Sequence, residues 1–172
     1  MEKENEFWDL IDENGKKLGI QIAKGESHPQ GTYHLVIGVW TLTKEEKALV
    51  TKRSKNETQY PEKWENTGGC VKAGETGLEG AVRELREETG IEVHPEELVF
   101  LGSLLEKTAL VFVYGLKFDP DRHKVCVNSE ETEGFRWITK SEWESMISQN
   151  LVSMASERRM RSVEKELTEF GF

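Results

Sequence analysis

Short runs along the chain alternate apolar and polar residues with a period of two, and one longer run does so with a helical period. Phe7-Trp8-Asp9-Leu10-Ile11 and Lys17-Leu18-Gly19-Ile20-Gln21-Ile22 flank Asp12-Glu13-Asn14-Gly15, which predicts a β-hairpin closed by an Asn-Gly turn. His34 to Trp40 is apolar enough for a central strand, and Ala48 to Arg53 follows as its neighbour after the polar connection Thr43 to Glu46. The polar stretch 54–62 predicts a long loop without structure of its own, and such loops are often functional. Leu98 to Leu105 and Ala109 to Tyr114 read as an antiparallel pair, and Phe135 to Ile138 as a short strand. Thr76 with Glu79 three residues on is a capping-box signature, so a helix starts at Gly77 and stops at Gly90. Lys140-Ser141-Glu142 opens a helix containing Trp143 and Ile147, and a final helix runs from about Ser156 to Glu169. Strands around one helix, with further helices at the end, predict a mixed sheet between helices.

The helix over 77–89 presents the candidate chemistry. Val82 and Leu85 point toward the core, whereas Glu84, Glu87 and Glu88 fall within about one third of the circumference. Like charges this close cost a helix a few tenths of a kcal/mol per pair. Clustered hard oxygen donors are also what Mg²⁺ or Mn²⁺ selects. A solvated acidic face is the alternative for such a triplet taken alone. Ahead of the helix lies the glycine-rich turn Gly68-Gly69-Cys70-Val71-Lys72-Ala73-Gly74-Glu75.

Length and charge narrow the picture. The chain has 172 residues, which suits a single domain over 1–172 with residues 1–30 as a hairpin extension. Hydrophobic residues make up 36% and charged residues 32%, as in a well-solvated globule. A net charge of −9 argues against nucleic acid as a bulk partner, because phosphate backbones want Lys/Arg surfaces. A small phosphorylated substrate stays compatible with that charge. No apolar run approaches a membrane span, so the expectation is a cytoplasmic protein with no membrane partner. Cys70 and Cys126 make no metal-ligand spacing and read as free thiols.

Gly69, Glu75, Arg83-Glu84-Leu85, Glu87-Glu88 and Gly90-Ile91 together resemble the Nudix hydrolase signature at every specified position. The resemblance implies an α/β/α sandwich of the α+β kind and hydrolysis of a diphosphate linkage in a nucleoside diphosphate derivative or similar organic pyrophosphate. It also implies that Glu84, Glu87, Glu88 and the Gly69 carbonyl hold Mg²⁺ or Mn²⁺. Arg83 would then orient the acids, and Glu75 would assist from the loop. Attack of water needs a proton acceptor, which is either a helix glutamate or a carboxylate among Glu130, Glu131 and Glu133, with Glu131 preferred. Lys52 and Arg53 are candidates for substrate phosphate, and Tyr33, Tyr60 and Trp64 for stacking.

The flanks, Trp8-Asp9-Leu10-Ile11-Asp12-Glu13-Asn14-Gly15, His28, His34, Arg53 and Trp64-Glu65-Asn66-Thr67, resemble the branch that includes type I isopentenyl-diphosphate isomerases. In that pattern a cysteine follows five residues after the tryptophan, a place held here by Gly69, and a histidine two further on, where this chain has Val71. Cys70 is offset by one, so hydrolysis is preferred over isomerisation, and His28 and His34 are read as structural. A non-catalytic nucleotide-binding module is the third reading. Segments 54–62 and 118–133 are expected to choose the substrate, and the hairpin is a candidate homodimer contact.

Overall fold

The computed structural model describes residues 6–127 and 132–172. Strands β1 (Phe7–Ile11) and β2 (Lys17–Ala23) form the expected hairpin, and Gly15 takes the left-handed conformation, with φ 84°, that its turn requires. The other seven strands make one mixed sheet: β3 (His34–Leu42), β4 (Ala48–Arg53), β5 (Trp64–Glu65), β6 (Thr67–Cys70), β7 (Leu98–Leu105), β8 (Ala109–Lys117) and β9 (Thr132–Ile138). β3 is central. One of its edges runs parallel to β8 along its whole length, and antiparallel β7 closes that side.

The other edge of β3 forks. At its Leu42 end it meets β4 through the turn Thr43 to Lys47, and along Val36–Val39 it pairs with β6, setting Ile37 opposite Gly69. β4 therefore diverges from β3 and pairs instead with β5 and β9. Period-two reasoning missed β5 and β6, because Thr67-Gly68-Gly69-Cys70 has no apolar alternation to read. Segment 54–62 is a loop, as expected.

Alternation along β3 sorts the core into two halves. Ile37 and Val39 face α1 (Gly77–Thr89), with Leu49, Ala81, Leu85 and Ile91 around them. Val36, Trp40 and Leu42 face the opposite way, onto α2 (Lys140–Ser148), α3 (Met154–Ser162) and α4 (Glu164–Phe170) through Trp143, Met146, Met160 and Leu167. Among the described residues, one α-helix below the sheet and three above it give the α/β/α sandwich. The terminal helix differs from expectation. It is two helices broken at Val163, which adopts φ −126°, ψ 24° and is itself buried against Gly102. No helix among the described residues is long and apolar enough to cross a membrane.

The ends of α1 follow the reading above. Thr76 Oγ1 accepts the Glu79 N–H at 3.2 Å, the Glu79 carboxylate accepts the Thr76 N–H at 2.7 Å, and Gly90 terminates the helix with φ 68°. Leu85 is fully buried and Val82 partly so, which fixes the rotation of the acidic face.

Candidate active site

Arg83 is the hub of the glycine-rich loop and the acidic helix. Its Nε and Nη2 donate to the two oxygens of Glu75 at 2.7 and 2.9 Å, a bidentate pair. Nη2 also donates to the Cys70 carbonyl at 2.9 Å, tying the helix to β6. Nη1 donates to Glu84 at 2.6 Å and to Glu87 at 3.1 Å. Burial works against the Arg83 cation, but Glu75 and Glu84 overcome it and raise its pKa. Burial likewise opposes ionisation of Glu75, and its hydrogen bonds and charge pairing with Arg83 win, lowering the carboxyl below its usual range.

Gly69 is placed by its pairing with Ile37 and has no side chain for a reason of space. A Cβ there would overlap the Glu84 carboxylate, so only glycine lets Glu84 lie against the backbone of β6. Glu84 and Glu88 are half-buried and Glu87 is exposed. Glu84, Glu87, Glu88 and the Gly69 carbonyl are hard oxygen donors throughout, the kind that a divalent cation of the Mg²⁺ or Mn²⁺ type selects. Among the described residues no group of three His, Cys, Asp or Glu side chains is drawn close enough to hold a metal ion; Glu84 and Glu87 share one Arg83 nitrogen.

The hairpin closes over the same loop. Phe7 O accepts the Ala73 N–H at 2.8 Å and Asp9 accepts the Gly74 N–H at 2.9 Å. Nothing in the residue pattern links those positions, since the contacts join segments more than sixty residues apart and use backbone donors.

The remaining candidates divide. Arg53 lies within electrostatic reach of Glu88, yet its three nitrogens donate to Gln59 O, Glu65 and Glu57 at 2.8, 2.6 and 2.8 Å. Burial lowers the Arg53 pKa, and Glu65 and Glu57 more than restore it. Lys52 donates to Glu133 at 2.8 Å, and Glu133 also accepts the Lys55 N–H at 3.2 Å. Both cations thus pin loop 54–62 to the sheet. Trp64 is buried in the core half under α2–α4, with the Arg136 guanidinium 4.7 Å from its ring centroid, a packing position rather than an open stacking surface. Tyr33 is half-buried and its backbone bridges to Ile11, while Tyr60 sits in the loop with φ 50°. Glu130 and Glu131 lie outside the described residues.

His28 and His34 join Trp8 and Cys70 beside the site. His34 stacks on Trp8 with centroids 4.2 Å apart, and its two nitrogens face His28 at 2.9 Å and Cys70 Sγ at 3.7 Å. Burial, then His28, depresses the His34 pKa to about 4, and burial pushes the Cys70 thiol up to about 11. Both groups are neutral near pH 7. The side chain at Cys70 leaves β6 on the face opposite the one where a Cβ at Gly69 would meet Glu84.

A three-layer sandwich whose single lower helix carries clustered acids against a glycine strand defines a family of phosphoanhydride-cleaving proteins. Residues 32–155 match the NUDIX domain, and the chain belongs to the Nudix family, with pyrophosphate hydrolysis as its class of chemistry. It is 30% identical over 148 residues to an uncharacterized Nudix hydrolase of Listeria monocytogenes, covering 82% of this chain and 84% of that one. It is also 30% identical over 95 residues to an isopentenyl-diphosphate Delta-isomerase of Escherichia coli, covering 54% of this chain and 52% of that one, which supports the branch read from the N-terminal half. In fold it is similar to the crystal structure of DR0079 from Deinococcus radiodurans, with a TM-score of 0.76 and 21% identity, over 92% of this chain and 99% of that one.

Proposed function

We propose that the chain hydrolyses the phosphoanhydride of a nucleoside diphosphate derivative or a similar organic pyrophosphate, using Mg²⁺ or Mn²⁺. The observation that carries this is the Arg83 hub, which draws Glu75, Glu84 and Glu87 together at the Gly69 strand. Glu84, Glu87, Glu88 and the Gly69 carbonyl would hold the cation. When bound, a divalent ion polarises the phosphoryl oxygens and lowers the cost of deprotonating the attacking water.

The chain's own residues supply the rest. Arg83 fixes the directions of the Glu84 and Glu87 carboxylates, so that little reorganisation is needed as charge develops. Arg53, through its three anchors, sets the loop that would border the substrate. The proton acceptor is a helix carboxylate or Glu131, and pH–rate profiles of Glu88→Gln and Glu131→Gln separate them: the true base is the one whose loss abolishes the acidic limb. The isomerase reading is disfavoured, because Gly69 holds the place of its cysteine and the Cys70 side chain leaves β6 on the face away from Glu84.

The decisive experiment measures phosphate release from a panel of nucleoside diphosphate compounds with Mg²⁺, for wild type, Glu87→Gln and Glu88→Gln. Wild-type turnover that vanishes on chelation, and falls at least about a hundredfold in the variants, is expected. Turnover that survives chelation overturns the hydrolase reading. Double-bond isomerisation of an isoprenoid diphosphate without phosphate release would establish the isomerase instead.

A further inference from the structure

The basic side chains gathered around the acids differ in how far their donors are spent. Arg83 makes five hydrogen bonds from its guanidinium, which is its full complement of N–H groups. Arg53 has a partner on each nitrogen. Lys52 is bonded to Glu133 and Lys24 to Glu6. Lys72 is the exception. Among the described residues its ammonium makes no hydrogen bond and has one loose ion pair, with Glu87 at 3.8 Å, while 43% of its side chain is exposed.

The root of that side chain is held firmly. The Lys72 N–H donates to Glu75 at 2.9 Å and its carbonyl accepts the Glu75 N–H at 3.0 Å. Glu75 is gripped by Arg83, and the next two residues, Ala73 and Gly74, are tied to the hairpin. A fixed stem with a loosely paired tip is therefore mounted at the rim of the site, beside Glu87, the acid with the greatest exposure, and within electrostatic reach of Glu6 and Glu75. An isolated exposed pair at this distance contributes little by itself, so the ammonium can leave Glu87 at small cost. A diphosphate substrate brings non-bridging oxygens with more negative charge than one carboxylate, and lysine serves such oxygens as a compact point charge.

We propose that Lys72 is a substrate-binding residue, whose ammonium moves from Glu87 to the non-bridging oxygens of the bound diphosphate. The proposal rests on the hydrolase reading above and adds a specificity contact to it. By contrast, Lys52 and Arg53 are already paired with the carboxylates that anchor the loop.

The test uses the full-length protein as wild type, Lys72→Met and Lys72→Arg. Inorganic pyrophosphate is titrated calorimetrically in the presence of Mg²⁺, and the panel substrate that wild type cleaves fastest is assayed in parallel. Lys72→Met should weaken pyrophosphate binding and raise KM by about tenfold or more, in line with loss of a hydrogen bond to a charged group. Lys72→Arg should restore most of both. The Mg²⁺ concentration for half-maximal activity and the melting temperature should stay at wild-type values in both variants. Unchanged pyrophosphate affinity in Lys72→Met, or a loss that tracks a weakened Mg²⁺ requirement, overturns the proposal. Absence of panel turnover by wild type overturns the hydrolase reading, and the pyrophosphate titration still decides the role of Lys72.

Discussion

Arg83 and Gly69 do unlike work at the same spot, one by making every available bond and the other by having no side chain. Arg83→Lys keeps the charge but loses the planar fork that meets Glu75 on two oxygens while touching Glu84 and Glu87. Its kcat should fall about ten- to a hundredfold with the fold intact, measured by steady-state kinetics beside circular dichroism. Gly69→Ala should displace the Glu84 carboxylate, and a Mg²⁺ titration of activity should show a higher half-saturating concentration. His34 gives a pH signature. Its folded pKa of about 4 lies below the ordinary 6.5, so the unfolded chain takes up a proton first as pH falls. The stability it contributes is whole above pH 6.5 and is lost between pH 6.5 and 4, by roughly 3 kcal/mol at most. Urea unfolding at pH 7 and 4.5 should therefore show a smaller pH-dependent loss for His34→Gln than for wild type. The acids, Arg83 and Gly69 were legible because their spacing is rigid in sequence. Lys72 was not, since a lone lysine in a turn carries no pattern until its neighbours' partners are known.

At the scale of the element, α1 is aimed by its buried side as much as by its caps. Leu85 is fully buried, and Leu85→Ala should cost about 2–5 kcal/mol, read from the denaturant midpoint, with activity lost in step as the acidic face loses its fixed rotation. The hairpin acts on function through Asp9, which accepts the Gly74 N–H and also pairs with Lys17 at 2.7 Å. Asp9→Ala should loosen the loop and lower kcat/KM several-fold while moving the melting temperature little, because the affected bonds are exposed. Helix and hairpin boundaries were readable from capping and turn chemistry. β5 and β6 were hidden because both are short and β6 is half glycine, and their pairing is decided by β3 and β4 rather than by their own residues. The break at Val163 was hidden too, since neither glycine nor proline marks it. Val163 packs there against Gly102, a contact between residues distant in sequence.

For the molecule as a whole, the forked edge of β3 separates two jobs. The β4–β9 branch carries the loop anchored by Lys52 and Arg53, and the β6 branch carries the glycine strand under the acids. On the proposed function, substrate choice can drift on one branch while the acids on the other stay put. The order of strands and helices made a mixed sheet between helices foreseeable, whereas the fork was not, because strand order depends on partners far along the chain. Gly69 sits opposite Ile37 of the central strand β3. The oxygen it would lend to the cation belongs to a strand held in place by β3, so catalytic competence and the folded domain should disappear on heating at one and the same temperature.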